Sequence, residues 1–417
     1  MSGVLERFLR YVKVDTQSYP DVEAYPSTEK QLDLLRMLYE ELQEMGASHV
    51  RMAREGYVMA TIPATVEDAD IPAIGLIAHV DTSDAVSGKD VKPQIIKNYD
   101  GGKIVLNEAL GMILNPEDYP VMRNHIGEDF IVTDGTTLLG ADDKAGVAEI
   151  MTAAEYLLAH PELPHGTVQI GFTPDEEVGR GVEFFDIEDF GADFAYTIDG
   201  DEVGDIEYEN FNASNMRVTI QGKSIHPGSA KGHMINSLLV AMEFQQMLPP
   251  AEDPAYTEGY EGFYHLTDMK GSCESTVMEY ILRDHDREKL AVKKELFAQI
   301  AAFLNHKYGA GTVAFTELGS YRNMKEKILP HMHLIDNACQ AMERLGITPI
   351  IQPIRGGTDG ANLSWKGLPC PNLGTGGQNF HGCYEYITVQ NLEKCTDVIV
   401  EIIKVYAEKG TVHTRNS

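Results

Sequence analysis

The sequence predicts an α/β protein with a second, smaller domain inserted into it, and three observations carry that prediction. Short apolar runs at residues 74–78, 167–173 and 192–198 each end in a polar, acid-rich stretch, the pattern of buried strands in an open sheet. Amphipathic helical segments alternate with these runs, which points to strands covered by helices. From residue 212 to residue 321 the texture changes and the acidic motifs no longer recur. Residues 1–211 and 322–417 are therefore expected to form one discontinuous domain, with residues 212–321 as an inserted α+β domain.

Taken in order, the first element is a helix, because Val4, Leu5, Phe8, Leu9 and Val12 recur at steps of three and four residues. Thr28 and Gln31 form a capping-box pattern ahead of a second helix that ends near Gly46. The three apolar runs follow as strands. A helix begins just after Asp142 and gathers Val147, Ile150, Met151, Ala154, Leu157 and Leu158 on one face. Inside the insertion, residues 216–220 and 277–283 read as strands and residues 233–247 and 287–306 as helices. Residues 249–262, rich in Pro, Glu and Gly, read as an exposed connection, and a last helix follows Thr388.

Composition excludes several classes of function. A chain of 417 residues with 43% hydrophobic content can bury a sizeable core without staples. Its net charge of −30, from 34 basic and 64 acidic residues, repels nucleic acid and anionic lipid, so neither is an expected partner. No stretch is apolar for the ~20 residues a membrane helix needs. The N-terminal residues carry Glu6, Arg7, Arg10 and Lys13 where a secretory segment would be apolar. Five cysteines, an odd number without a C-x-x-C pair, argue against a disulfide framework or a cysteine zinc site. The expected location is the cytoplasm.

The polar ends of the predicted strands hold the chemistry. His79 and Asp81 stand two apart after a strand, so in extended chain they point the same way, and the carboxylate can orient the imidazole. Asp142 lies in Gly-Ala-Asp-Asp-Lys-Ala-Gly at a strand-to-helix turn. Glu176 and Glu177 are adjacent, so their side chains diverge: one can bind a metal while the other faces a water as general base. Asp199-Gly200 and His381-Gly382 add an acid after a strand and an imidazole in a glycine-rich loop. Each motif alone reads better as a capping acid, a solvated loop or a surface histidine. Together, and in open α/β sheets where ligands bind beyond the carboxyl ends of strands, they describe one site for two metal ions.

The combination resembles the cocatalytic-zinc peptidase family that includes aminoacylases, succinyl-diaminopimelate desuccinylase and glutamate-releasing carboxypeptidases. The resemblance rests on Ile77–Thr82, residues 138–146, 173–179 and 354–361, and His226-Pro227-Gly228, and it spans nearly the whole chain. It implies a catalytic domain with a mixed sheet flanked by helices and a lid or dimerisation domain at residues 212–321. It also implies two zinc ions per subunit. His79, Asp142 and Asp199 would hold one, and Asp142, Glu177 and His381 the other, with Glu176 as general base and Asp81 as the partner of His79. His226 matches a family histidine that reaches a neighbouring subunit's site and polarises the scissile carbonyl, which implies a homodimer. Arg283 and Arg355 are candidate clamps for a substrate carboxylate, since guanidinium presents a planar fork of donors.

The activity that the resemblance implies is release of the N-terminal residue from tripeptides by zinc-activated water. An amidase or carboxypeptidase of the same family, acting on N-acyl amino acids or C-terminal residues, is the alternative within the class. A catalytically dead metal-binding or adaptor protein is the alternative outside it, and the intact Glu176 speaks against that. No His-Glu-x-x-His, Gly-x-Ser-x-Gly or complete phosphate-binding loop occurs.

Overall fold

The computed structural model of the chain describes residues 3–66 and 70–415, without the side chains of residues 411–415. It divides into two compact units. The first comprises Met1–Tyr208, Glu326–Gln352 and Thr358–Ser417, and the second Glu209–Lys325 and Pro353–Gly357. The inserted run is thus a few residues longer at each end than 212–321, and a short return segment joins it.

The first unit is built on an eight-stranded mixed sheet. Its order is Ser48–Met52, Val58–Ile62, Val168–Thr173, Ile74–His79, Phe194–Gly200, Asn372–Gly374, Asp205–Glu207 and Ile350–Ile351. Val168–Thr173, Ile74–His79, Phe194–Gly200 and Asn372–Gly374 run parallel to one another, so their carboxyl ends share one edge of the sheet. His79 lies directly opposite Thr173 in that register. Ile74–His79 is buried at every position, as a central strand covered on both faces must be. Helix Ala141–Ala159 lies against Ile74–His79 and Phe194–Gly200, and helices Val4–Tyr11 and Val389–Arg415 lie against it in turn.

A second, four-stranded sheet in this unit joins Gly377–Gln378, Tyr386–Thr388, Phe130–Val132 and Gln94–Ile96. Its strands are two or three residues long, too short for an alternating pattern to register in sequence. The loop between Gly377–Gln378 and Tyr386–Thr388 carries His381.

The second unit is an antiparallel sheet in the order Phe263–Gly271, Ser275–Asp284, Asn212–Gln221 and Val313–Tyr321. Asn212–Gln221 alternates buried and exposed residues, and Met216, Val218 and Ile220 meet Phe244 of helix Ser237–Gln246 and Phe297 of helix Arg287–Tyr308 in one core. The two outer strands are not legible in the sequence because both are largely exposed and show no sustained alternation of apolar and polar residues.

Three expectations change. The helix predicted at 233–247 spans Ser237–Gln246, because Ile235 pairs with Lys223 through both backbone groups (2.8 and 3.0 Å) and the Asn236 side chain caps the Leu238 amide. Asp199 lies inside strand Phe194–Gly200 rather than after it. Helix Gln31–Glu44 starts at Gln31 with no side-chain cap, since the Gln31 amide donates to the Asp175 carboxylate and the Thr28 hydroxyl and its oxygen accepts the Asp175 N–H, so it reaches no helix-end amide. Among the described residues, no helix is long and apolar enough to cross a membrane.

Gly146 allows the close approach of helix Ala141–Ala159 to the sheet: a Cβ there would overlap the Ile198 carbonyl oxygen. Gly146→Ala must push the helix off the strand that carries Asp199. We expect a cost of about 1–3 kcal/mol, read as a lower thermal midpoint of the metal-free protein.

Candidate functional site

Seven of the residues singled out in the sequence converge at the carboxyl edge of the large sheet: His79, Asp81, Asp142, Glu176, Glu177, Asp199 and His381. Strand ends supply His79 and Asp199, and the turn after Thr173 supplies the glutamates. Asp142 comes from the start of helix Ala141–Ala159, where Asp142 and Asp143 depart from helical angles and their carboxylates diverge.

Asp142 divides its carboxylate between two imidazoles. Its Oδ1 is 3.0 Å from His79 Nε2 and its Oδ2 is 2.9 Å from His381 Nε2. Asp199 lies 3.3 Å from the same nitrogen of His79, and Glu177 3.0 Å from that of His381. His79 Nδ1 donates to the Asp81 carbonyl at 3.0 Å, which fixes the ring so that Nε2 faces Asp142 and Asp199. Glu176 Oε2 stands 4.0 Å from His79 Nε2, beyond hydrogen-bond range, and is therefore the acid kept back from the imidazoles.

The Asp81 carboxylate has a larger part than expected. It lies 3.3 Å from His79 Nδ1, and its two oxygens accept the backbone N–H groups of Glu176 (3.0 Å) and Glu177 (3.1 Å). One fully buried side chain thus fixes the histidine strand against the glutamate turn.

The acids crowd one another. Burial raises Glu177 to about 7 and Asp199 to about 6, and in both cases the Asp142 charge adds to it. Burial likewise pushes Glu176 well up, with Asp199, Asp359 and Glu177 adding to it. Burial opposes charging His79, yet Asp199, Asp142 and Asp81 hold its pKa well above the ordinary value. Hydrogen bonds to Asp142 and Glu177 lift His381 to about 11. The pocket carries more negative charge than its imidazoles can offset, which is the electrostatic setting of a cation site.

The donors fit metal ions. Ligand atoms of His79, Asp142 and Glu177, and of His79, Asp143 and Asp199, lie within 4.8 Å of one another in each group. Glu177 Oε1 is buried without a hydrogen-bond partner among the described residues, an oxygen that a cation would satisfy. Imidazole with carboxylate is the set that suits zinc.

Residues 132–405 match the model of Peptidase family M20/M25/M40. The chain belongs to this peptidase family. It is 54% identical over 409 residues, 98% of this chain and 100% of the relative, to Peptidase T of Alkaliphilus oremlandii (strain OhILAs). The fold is shared with aminopeptidase PepT from Bacillus cereus ATCC 10987 (TM-score 0.76, 24% identity, covering 97% of this chain and 98% of that one). It is also shared with a tripeptidase from Staphylococcus aureus subsp. aureus Mu50 (TM-score 0.78, 23% identity, the same coverage). Membership in the M20 family makes the chain a metal-dependent peptidase.

Three further acids at this edge of the sheet were not singled out in the sequence. Asp143 accepts the His79 N–H at 3.1 Å and the Gly146 N–H at 3.3 Å. Glu385 accepts the N–H groups of Leu139 (2.6 Å), Gly140 (2.8 Å) and Asp142 (3.2 Å), so it fixes the turn that presents Asp142. Asp359 accepts the Thr173 hydroxyl at 2.8 Å. Their signals were present: Asp143 adjoins Asp142, Glu385 follows His381 by four positions, and Asp359 sits in Gly-Gly-Thr-Asp-Gly.

The second unit holds the other three. His226 is exposed, and its Nδ1 accepts the Gly228 N–H at 3.1 Å, which leaves the proton of the neutral ring on Nε2. Arg355 is engaged by the carbonyls of Thr257, Gly259 and Glu261 and by the Thr257 hydroxyl. Arg283 gives Nη1 to Asn215 Oδ1 and the Leu282 carbonyl and lies over the Tyr321 ring, 5.1 Å from its centre.

Asp81→Ala removes the acceptor of both glutamate amides. Zinc affinity of the purified protein, measured by chelator competition, should fall about 10–100-fold, as it does when the outer partners of metal ligands are removed.

Proposed function

We propose that the chain is a metallo-aminopeptidase that releases the N-terminal residue from tripeptides and works with two zinc ions per subunit. The observation that carries this reading is the split Asp142 carboxylate, one oxygen toward each imidazole. Its name-bearing relatives support the substrate class: a protein 54% identical is a Peptidase T, and a fold neighbour is described as a tripeptidase. His79, Asp142 and Asp199 would hold one ion, and Asp142, Glu177 and His381 the other. When bound, the ions would lower the pKa of a water and polarise the scissile carbonyl.

The chain's own groups would do the rest. Glu176, kept out of the imidazole contacts, would take the water proton and pass it to the departing nitrogen. Asp81 would hold the base and the ligands in one frame through the Glu176 and Glu177 amides. The partner subunit's His226 would donate a hydrogen bond from its Nε2–H to the developing oxyanion, which makes a homodimer the working form, with the second unit as its lid and dimerisation domain.

Selection of three residues requires anchors for both chain ends, since an error of one residue displaces a terminus by ~3.3–3.6 Å. Carboxylates beside the metals would meet the α-amino group. An arginine would meet the carboxylate. Four of the five N–H donors of Arg355 are already given to the 257–261 loop, and Arg283 bonds Asn215, the Leu282 carbonyl and Tyr321, so either would exchange a neighbour for the substrate carboxylate. Short peptides are the substrates and peptide catabolism in the cytoplasm is the setting.

Glu176→Ala should keep its zinc and lose at least about 10²–10⁴-fold in turnover, while Glu177→Ala should lose zinc. Metal analysis beside peptide assays separates the two, and exchanged phenotypes would reverse the assignment within the pair.

Ala-Ala-Ala should be cleaved well. Ala-Ala, Ala-Ala-Ala-Ala, N-acetylated and C-amidated tripeptides should all be poor, since each leaves a clamp unpaired at a cost of about 1–3 kcal/mol. Preference for N-acetyl amino acids would move the assignment to an aminoacylase.

A further inference from the structure

The segment ahead of helix Gln31–Glu44 touches three of the supports of the site. Val14 accepts from the buried Lys144 ammonium at 2.7 Å. Gln17 bridges Thr82, and its amide donates to the carbonyls of Ser83 (3.0 Å) and Val86 (2.9 Å), in the loop that follows Asp81. At the far end, Ser27 and Gln31 grip Asp175, the residue just before the two glutamates.

The grip on Asp175 is dense. Its carboxylate accepts the Ser27 N–H (2.6 Å), the Ser27 hydroxyl (2.6 Å) and the Gln31 amide (2.7 Å), while its own N–H donates to Gln31 Oε1 at 3.0 Å. Asp175 is fully buried and has φ 59°, the left-handed region that a residue other than glycine holds only when its surroundings fix it there. That turn aims the next two amides at Asp81. Gly179 N–H then closes on the Glu176 carbonyl at 2.7 Å and Arg180 N–H on the Asp175 carbonyl at 2.9 Å. The glutamate turn is therefore held from below by Gln31 and Ser27 and from the side by Asp81. The residue that the sequence marked as half of a capping box keeps one contact with the Thr28 hydroxyl, at 3.1 Å, and gives both ends of its amide to Asp175.

We propose that Gln31 and Asp175 are positioning residues for the Glu176–Glu177 pair: through a buried two-way amide–carboxylate clamp they set the left-handed turn that points one glutamate at the metals and keeps the other back as base. This rests on the roles given to the glutamates above. A clamp that served only general stability would loosen the whole unit when cut, whereas a positioning clamp loosens the turn first.

The test is Gln31→Met, which keeps the length of the side chain and removes both of its bonds to Asp175. In the metal-free protein, amide exchange across residues 176–180 should speed up at least about tenfold, with strand Phe194–Gly200 unchanged. Zinc affinity by chelator competition should fall about 10–100-fold, and at saturating zinc kcat on Ala-Ala-Ala should fall by a similar factor with KM within about threefold. Asp175→Asn, which tolerates the same φ and keeps most of the clamp, should show the same pattern more weakly, and it carries the test if Gln31→Met does not fold. Unchanged exchange at 176–180 with kcat within about threefold of the parent overturns the proposal, as does an equal rise in exchange in Phe194–Gly200. A parent protein that cleaves no peptide would sink the tripeptidase reading, and the exchange and zinc readouts would still decide the clamp.

Discussion

Asp142 sits between two imidazoles, 3.0 Å from one and 2.9 Å from the other, and it does so in a pocket where Glu177 and Asp199 repel it and both also repel Glu176. Carboxylates taken out of water at this spacing stay ionised only if cations or N–H donors compensate them. Two divalent ions sharing one carboxylate are the simplest compensation the donor set allows. Much of the surrounding structure consists of means to hold acids where they would not gather unaided. Asp143 is tied by the His79 and Gly146 amides, Glu385 by three amides of the Asp142 turn, and Asp81 by those of the glutamates.

The parallel strands make this possible. Because Ile74–His79, Val168–Thr173 and Phe194–Gly200 point the same way, residues far apart in sequence leave the sheet along one edge, and backbone amides just beyond that edge are available to bind acids. The helix that presents Asp142 can sit close enough only because Gly146 has no side chain. The gathering of these acids depends on backbone placement as much as on their identity.

His79, Glu176, Glu177 and Asp199 were legible in the sequence for a physical reason: each ends or follows an apolar run whose length and burial mark a strand, and strand ends are where such a fold binds ligands, whereas Asp142 and His381 follow no such run. The small sheet was not legible, since strands such as Phe130–Val132 are too short to show a period, although its hairpin carries His381 and Glu385. Nor were the outer strands of the second unit, whose exposed residues lack the alternation that burial imposes. Thr28 and Gln31 mislead because a glutamine at that spacing serves either a helix end or a distant carboxylate, and only the tertiary contact with Asp175 decides between them. Arg283 and Arg355 looked equivalent as guanidinium groups. Their neighbours differ, since Arg355 is committed to the loop at 257–261 and Arg283 to Asn215, Leu282 and Tyr321 of its own sheet.

The central claim is that one carboxylate is shared by two metal ions, and zinc-edge anomalous diffraction from crystals of the zinc-loaded protein tests it most directly. The account predicts two peaks per chain flanking Asp142, one on the His79 and Asp199 side and one on the Glu177 and His381 side, each at about 2.0–2.2 Å from a different Asp142 oxygen. A single fully occupied peak, or two peaks that do not share Asp142, would contradict it.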